Sequence, residues 1–391
     1  MTSTETPPLR RWFSGLLLLA ALPVVLVLTG CMEARTAATE SWSGVAVGDD
    51  RLFVGTQDGR LVQLDAASGT RSASPFAAIQ DDEGGFPAFY GTPVIANGRV
   101  YLGGYHGFAY SLRAEDLSDV RSMEIEGESL VKGIAGALAP TDDAVVVAAA
   151  EGANAGRIYV LDGETLGERC RYPASGEEPA GQLWSTPVLL DGIIYVGGLD
   201  HRLHAVAVED CSPVWPEPAD LHGAVTAEPL AVNGNLYVGT FDRRFYEVDQ
   251  QTGETRELFR ADNWFWGRAA TDGQRLYVPN MDGRLYAYDL EQDEVVWRYP
   301  AGEDDRSAIL STPVVFGDSV VFGSDSGLLT VVRGADGGFE WDQQLGGGEI
   351  RAPLTVEDGI VYVHTVDGEI HAINLETRGR LWEPVLLDEV Q

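Results

Sequence analysis

The sequence predicts an all-β protein, an eight-bladed β-propeller of four-stranded antiparallel blades, and three observations lead to this prediction. A segment resembling Tyr-Val-Gly recurs at intervals of roughly 40–48 residues, a spacing typical of propeller blades. Short runs of β-branched and aromatic residues alternate with tight turns, as in antiparallel strands. No segment after Cys31 has the apolar period of about 3.6 residues that marks an amphipathic helix.

The repeating unit has four short segments, of which the second is the most regular. This Tyr-Val-Gly-like segment occupies 52–55, 100–103, 194–197, 236–239, 276–278, 321–323 and 361–363, with a degraded copy at 144–149. A stretch resembling Thr-Pro-Val precedes it at 92–94, 186–188 and 312–314, and an Asp-Gly turn follows it at 58–59, 282–283 and 367–368. Glycine suits the positive φ of such hairpin turns. A third strand such as 284–289 and a fourth that often carries a late Trp complete the unit.

A four-stranded sheet of this composition has two apolar faces and cannot bury both by itself. Stacking eight copies in a ring buries them, which is the reason for predicting a propeller over residues 41–391. Repeat three carries an additional loop at 151–156, so the number of blades and their closure depend most on that region.

The repeat resembles that of the pyrroloquinoline-quinone-like propellers over residues 41 to about 383. This group includes quinoprotein dehydrogenases and the propeller lipoprotein of the outer-membrane barrel-assembly machine. The resemblance implies that the late Trp of each repeat packs between blades. The matching residues are Trp215, Trp297, Trp341 and Trp382, and several repeats have none.

The N-terminus resembles a bacterial lipoprotein signal. Arg10 and Arg11 precede an apolar run over 15–29, which is too short for a spanning helix and fits a signal peptide. The run ends in Leu-Thr-Gly before Cys31, and this pattern is similar to a lipobox. We therefore expect a signal peptide over 1–30, a lipidated tether over 31–40, and export with anchoring through Cys31 to the cell membrane or an outer membrane. Export by either the general or the twin-arginine route fits these residues.

The charge balance excludes one class of partner. Sixty acidic residues face 27 basic ones, for a net charge of −33, so a polyanion such as a nucleic acid would be repelled. Cys170 and Cys211 would meet an oxidising compartment, where a disulfide can form. They lie in neighbouring repeats at positions that do not correspond, which argues against pairing and leaves the question open.

Searches for catalytic and metal-binding patterns find no complete set. The quinone dehydrogenases that the repeat resembles often carry two adjacent cysteines, whereas this chain has none, so we expect no pyrroloquinoline quinone and no other cofactor. His204 and His371 take the place of Tyr286 in the third strand, and structural roles explain them. The acidic segments 81–83 and 303–305 lack the alternating oxygen ligands of a calcium loop. No catalytic or metal-binding residue is assigned.

One set of residues indicates recognition. Because the first strand of each blade lines the propeller axis, residues just before it should surround one mouth of the channel. The large aromatic and cationic residues there are Trp42, Tyr90, Trp184, Trp264, Trp266, Arg268 and Arg351. Such residues are common at binding surfaces, but they could equally plug the channel or pack between blades. The corresponding place in blade five is Ala224 or Val225, so the repeat does not demand large side chains there.

The resulting functional hypothesis is a monomeric, non-catalytic envelope lipoprotein that acts as a scaffold for a protein partner, as in outer-membrane or envelope protein assembly. The alternatives are a quinone-dependent enzyme related to the dehydrogenases and a propeller that binds a small ligand or polysaccharide. Converging carboxylates and an amide at the channel mouth would favour an enzyme. An apolar mouth would favour a scaffold.

Overall fold

The computed structural model confirms an eight-bladed propeller. It describes residues 43–79, 87–127, 132–302 and 307–387, and these ranges contain 32 strands in eight four-stranded sheets and no helix. It follows that none of the described segments is a helix long and apolar enough to cross a bilayer. Cys31, Trp42, the proposed signal peptide and the acidic segments 81–83 and 303–305 lie outside the described residues.

The first four blades use consecutive strands, and in each blade all neighbouring strands pair antiparallel. Blade 1 contains β1 (Val45–Gly48), β2 (Arg51–Gly55), β3 (Arg60–Asp65) and β4 (Phe76–Ala77). Blade 2 contains β5 (Val94–Ala96), β6 (Arg99–Gly103), β7 (Phe108–Arg113) and β8 (Arg121–Glu124). Blade 3 contains β9 (Ala139–Pro140), β10 (Ala144–Gly152), β11 (Ala155–Asp162) and β12 (Glu168–Tyr172). Blade 4 contains β13 (Val188–Leu190), β14 (Ile193–Gly197), β15 (Arg202–Ala207) and β16 (Ala219–Asp220).

The last four blades follow the same plan. Blade 5 contains β17 (Leu230–Val232), β18 (Asn235–Gly239), β19 (Arg244–Asp249) and β20 (Thr255–Arg260). Blade 6 contains β21 (Ala270–Thr271), β22 (Arg275–Pro279), β23 (Leu285–Asp289) and β24 (Glu294–Tyr299). Blade 7 contains β25 (Val314–Phe316), β26 (Ser319–Gly323), β27 (Leu328–Arg333) and β28 (Phe339–Gln344). Blade 8 contains β29 (Thr355–Glu357), β30 (Ile360–His364), β31 (Glu369–Asn374) and β32 (Val385–Leu386).

The hydrophobic core lies between the blades. Eight clusters of buried side chains occur, and each combines residues from two consecutive blades. The central segment of the second strand is buried in every blade, as in Leu236, Tyr237 and Val238. Both faces of each sheet therefore contribute to the core, as the repeat predicted.

The ring closes between blades 8 and 1 without a shared strand. The Thr355 hydroxyl donates to the Val45 carbonyl at 2.6 Å, and one buried cluster contains Val54 of blade 1 together with Ile370 of blade 8. Each sheet consists of four strands consecutive in sequence. Closure thus depends on side-chain packing and a few hydrogen bonds instead of an exchanged strand.

Blade 3 is complete, although its repeat is the most degraded. The segment 144–149 forms part of β10, and all of its residues are buried. The expectation of a loop over 151–156 is wrong, because β10 and β11 continue as a hairpin as far as Gly152 and Ala155. The buried ion pair between Arg157 and Glu151, at 3.0 Å, supports this extension.

One turn after the third strand recurs in all eight blades. Its last residue has a positive φ, and its amide donates to the carbonyl of the residue four positions earlier. We call this the turn residue. The eight turn residues are Gly69, Leu117, Leu166, Cys211, Gly253, Asp293, Gly337 and Arg378. Glycine adopts such a conformation without steric cost, but only three blades use it.

Three docking tryptophans pack over the turn glycine of the following blade. A Cβ atom on Gly253 would lie 2.8 Å from the Trp215 ring, and the indole Nε1–H of Trp215 donates to the Gln250 carbonyl at 3.2 Å. Trp297 makes the same contacts with blade 7, and Trp382 makes them with blade 1. These contacts confirm the predicted docking role of the late Trp.

At two other junctions, different side chains occupy the tryptophan position or the turn position. Trp341 is buried between blades 7 and 8, where the guanidinium of Arg378 lies 5.9 Å from its ring centroid. Between blades 5 and 6, Arg256 occupies the tryptophan position and forms an ion pair with the turn residue Asp293 at 2.7 Å. The Tyr288 hydroxyl and the Arg256 guanidinium hold the pKa of Asp293 below its usual value.

The junction between blades 3 and 4 is covalent. Cys170 lies opposite Val160, as Trp297 lies opposite Ala287, so it occupies the tryptophan position of its blade. Cys211 is the turn residue of blade 4, and the two cysteines form a disulfide with a Cα–Cα distance of 5.9 Å. The sequence argument against pairing was wrong, because two positions that do not correspond between repeats meet here, as they do at the five junctions described above.

Candidate functional site

A cavity of about 520 Å³ lies on the propeller axis. Seven blades contribute to its wall through the residues just before their first strands, and the corresponding residue of blade 1, Trp42, lies outside the described part. The second- to third-strand turn of blade 2 adds Tyr105. The cavity therefore exists only in the assembled ring, because each blade contributes only part of its wall.

Backbone hydrogen bonds show which cavity-lining residues occupy equivalent positions in different blades. In blades 5 and 6, the amides of Val225 and Phe265 donate to the carbonyl of the residue just after the preceding blade's second strand, at 3.0 and 3.3 Å. The residue after each is a wall residue, so Thr226 is the counterpart of Trp266. The sequence-based choice of Ala224 or Val225 was therefore wrong by one or two positions. Val225 instead points into the core between blades 4 and 5.

The structure brings together five of the seven residues selected from the sequence. Those that line the cavity are Tyr90, Trp184, Trp266, Arg268 and Arg351. Trp264 lies outside the cavity wall and is 45% exposed. Trp264 contacts the cavity wall indirectly, through the ring of Phe241, which stacks on both Trp264 and Trp266.

Aromatic rings form two groups around the cavity. In the first, Tyr105 makes edge contacts with Tyr90 and Trp184, at centroid distances of 5.0 and 6.3 Å. In the second, Phe241 stacks between Trp264 and Trp266, at 4.9 and 5.7 Å with interplanar angles of 10° and 25°. The second group, which we call the aromatic stack, extends from the cavity wall to the exposed surface.

Both arginines of the cavity face carboxylates. The Arg268 guanidinium lies 2.7 Å from Glu228 of the neighbouring blade. The Arg351 guanidinium lies 3.2 Å from Asp325 and 3.9 Å from Glu349. An anionic ligand would have to compete with these carboxylates, so the site does not offer the simple cationic surface that the two arginines alone indicate.

Tyr105 and Phe241 were missed in the sequence analysis. Both occupy the second position of the turn between the second and third strands, where blades 1 and 6 have Gln57 and Met281. A large ring at an exposed turn is the signal that could have identified them.

The histidines proposed as structural lie within the blades. His204 and His371 occupy the third-strand position of Tyr286, and His204 lies 2.9 Å from Asp200. Burial, followed by the charge of Arg380, lowers the pKa of His371 to about 4. Among the described residues, no group of three or more His, Cys, Asp or Glu side chains is arranged to hold a metal ion.

The fold and the cavity together define a pyrroloquinoline-quinone-like propeller with an aromatic axial site. A sequence model of one family within this class matches residues 32–256, 254–318 and 282–389, and the family is described as outer membrane protein assembly factor BamB. This match extends over nearly the whole propeller. The chain therefore belongs to that family.

Individual relatives are distant. Outer membrane protein assembly factor BamB of Escherichia coli strain K12 is 23% identical over 346 residues, which span 84% of this chain and 83% of the relative. Two other curated relatives of the same name are matched over about half of their own length.

Solved structures share the fold. BamB from Moraxella catarrhalis superposes with a TM-score of 0.66 at 18% identity, covering 83% of this chain and 94% of that one. The quinohemoprotein alcohol dehydrogenase from Comamonas testosteroni gives 0.67 at 15% identity, covering 85% of this chain and 70% of that one. At such identities the likeness concerns the fold alone.

Proposed function

We propose that this protein is an exported envelope lipoprotein that acts as a non-catalytic scaffold in the assembly of outer-membrane proteins. The observation that carries the proposal is the family match over residues 32–389, since the family is described as an outer-membrane protein assembly factor. The partner is a protein of the envelope, and the propeller presents one face to it as a monomer.

The axial face supports this role. Trp264, on this face, is 45% exposed and joins a stack of rings that leads to the cavity. Exposed aromatic rings of this kind are over-represented where proteins bind one another.

Site-specific photo-crosslinking in intact cells tests the scaffold role. A photoreactive amino acid is placed at Trp264 on the axial face or at Phe339, which is 53% exposed on the outer strand of blade 7. We expect a specific crosslink to an outer-membrane assembly protein from the axial position and none from Phe339. The scaffold role fails if neither position captures an outer-membrane assembly protein and a crosslinker that does not need lysine also captures none.

Anchoring is tested separately. We propose that Cys31 carries the lipid, supported by the Leu-Thr-Gly-Cys pattern after an apolar run. The variant Cys31→Ala should move the protein from the membrane to the soluble fraction, and mass spectrometry of the wild type should find acyl chains on the N-terminal peptide. A wild-type protein without lipid would disprove the anchor while leaving the scaffold role standing.

We also propose that the protein works without pyrroloquinoline quinone. The three cysteines are Cys31, Cys170 and Cys211, so the sequence has no adjacent pair of the kind that many quinone dehydrogenases place against the cofactor. Addition of the quinone and calcium should produce neither saturable binding nor dye-linked alcohol oxidation. Stoichiometric binding with turnover would overturn this part of the proposal.

A further inference from the structure

The aromatic stack and the cavity form one continuous path of aromatic rings across the axial face. Trp266 lines the cavity, Phe241 lies against it, and Trp264 carries the path to the surface. A small ligand enclosed by the cavity would not need the outer rings. An extended peptide would use both parts, because one side chain can enter the cavity while the next residues lie along the stack.

Carboxylates lie along this path. The Arg284 guanidinium, 2% exposed, lies 3.1 Å from Asp262 and 4.0 Å from Asp282. The ion pairs of Arg268, Arg284 and Arg351 set five carboxylates against three guanidiniums, with Asp282 among the carboxylates buried. The exposed Arg243 lies two residues from Phe241 on the same turn. The whole chain carries a net charge of −33, which extends the same sign over longer distances.

One carboxylate, that of Asp262, is accessible to a bound ligand. Asp262 is 76% exposed and precedes Trp264 by two residues, whereas the guanidinium that balances it is buried. An exposed indole two residues along the chain from an exposed carboxylate suits a guanidinium or ammonium group, which gains both an ion pair and a cation–π contact.

We propose that the axial cavity and the aromatic stack bind an extended polypeptide segment that combines a large apolar side chain with flanking basic residues. The apolar side chain occupies the cavity beside Trp266, and a basic residue lies over Trp264 near Asp262. This inference rests on the scaffold role, and it specifies the chemistry of the partner segment.

Short synthetic peptides provide the test. The probes are an acetylated and amidated pentapeptide with Arg-Phe-Arg at its centre, a matched one with Glu-Phe-Glu, and a third with Arg-Ala-Arg. Isothermal titration calorimetry with the intact mature protein should show saturable binding of the first. We expect at least tenfold weaker binding of the second, because its charges are repelled, and of the third, because the cavity stays unfilled.

Variants locate the binding. Trp264→Ala and Trp266→Tyr should each weaken the Arg-Phe-Arg peptide several-fold, and Asp262→Asn should weaken it while reducing its salt dependence. Phe339→Ala, on the outer strand of blade 7, is the matched control and should bind as the wild type does. Melting curves of each variant separate loss of the site from loss of the fold, and Trp264→Ala should melt normally because Trp264 is surface-exposed.

Three results would overturn the inference. These are equal or tighter binding of the Glu-Phe-Glu peptide, unchanged affinity in folded Trp264→Ala and Trp266→Tyr, and no saturable binding of the basic peptide at millimolar concentration. Each leaves the scaffold role intact if the crosslinking experiment identifies an assembly partner through another surface. Conversely, peptide binding without any such partner would refute the scaffold role and leave the site chemistry established.

Discussion

The junctions between blades 4 and 5 and between blades 3 and 4 use the same two positions with different chemistry. In the first, Trp215 packs on Gly253 and buries a large ring. In the second, Cys170 and Cys211 replace the ring and the glycine with a covalent bond. The comparison shows that the propeller geometry brings the same two positions into contact at these junctions. The side chains at the two positions can differ widely.

The third kind of junction sharpens this comparison. Between blades 5 and 6 the same place holds Arg256 and Asp293, whose side chains are 51% and 56% exposed. Packing of an aromatic ring, a covalent link and an exposed ion pair differ strongly in the stabilisation that they provide. Substitutions at equivalent positions should therefore have very unequal effects.

The largest effect is expected at a docking tryptophan. Trp215→Ala removes a ring that is 3% exposed and its indole hydrogen bond, and such truncations cost about 3–5 kcal/mol. Urea denaturation followed by circular dichroism measures the loss, with Phe339→Ala as an exposed aromatic control. Trp341→Ala should behave similarly. An unchanged denaturation midpoint would show that the ring does not hold the two blades together.

The disulfide should rank second. It closes a loop with a sequence separation of 41 residues, and removal of such links costs about 2–4 kcal/mol. The double variant Cys170→Ser with Cys211→Ser should lose this stability without a reducing agent, and the wild type should lose it only when reduced. Equal stability of reduced and oxidised wild type would mean that the blades pack adequately without the bond.

A buried histidine gives the third prediction. His371 lies 3.2 Å from Glu369, as His204 lies 2.9 Å from Asp200, but burial and the charge of Arg380 lower the pKa of His371 from 6.5 to about 4. His371 therefore favours the folded state above pH 6.5, and its contribution is lost as the pH falls from 6.5 towards 4. The loss at pH 5 is on the order of 2 kcal/mol.

The variant His371→Tyr isolates this contribution, because Tyr286 stands at the equivalent position of blade 6. Denaturation at pH 7 and pH 5 should show a smaller acid-induced loss in the variant than in the wild type. Identical losses in the two proteins would mean that the fold does not lower the pKa of His371.

The smallest effect is expected at the exposed ion pair. Arg256→Gln removes the ion pairs to Asp293 and to Glu247, whose side chains are 56% and 17% exposed, and should cost on the order of 1 kcal/mol because solvent screens most of this attraction. The difference from the wild type should shrink further in 1 M salt, where the Debye length is about 3 Å. A loss as large as that of Trp215→Ala would contradict the ranking of the junctions.

The sequence alone determined the blade architecture and much of the axial site. The repeat places β-branched and aromatic residues at the same position of each unit, so strand burial follows from local composition, while the resemblance to pyrroloquinoline-quinone-like propellers implied the docking tryptophans. It also identified Tyr90, Trp184 and Trp266, because their positions before a first strand are set by the repeat itself.

Tertiary structure decided what depends on contacts between repeats. The pairing of Cys170 with Cys211 was judged from positions within a repeat, but a junction joins the fourth strand of one blade to a turn of the next. The stacking of Phe241 between Trp264 and Trp266, and the carboxylates that face Arg268 and Arg351, likewise arise across blades. A repeat pattern describes one blade, whereas these distances are set by how the ring curves from each blade to its neighbour.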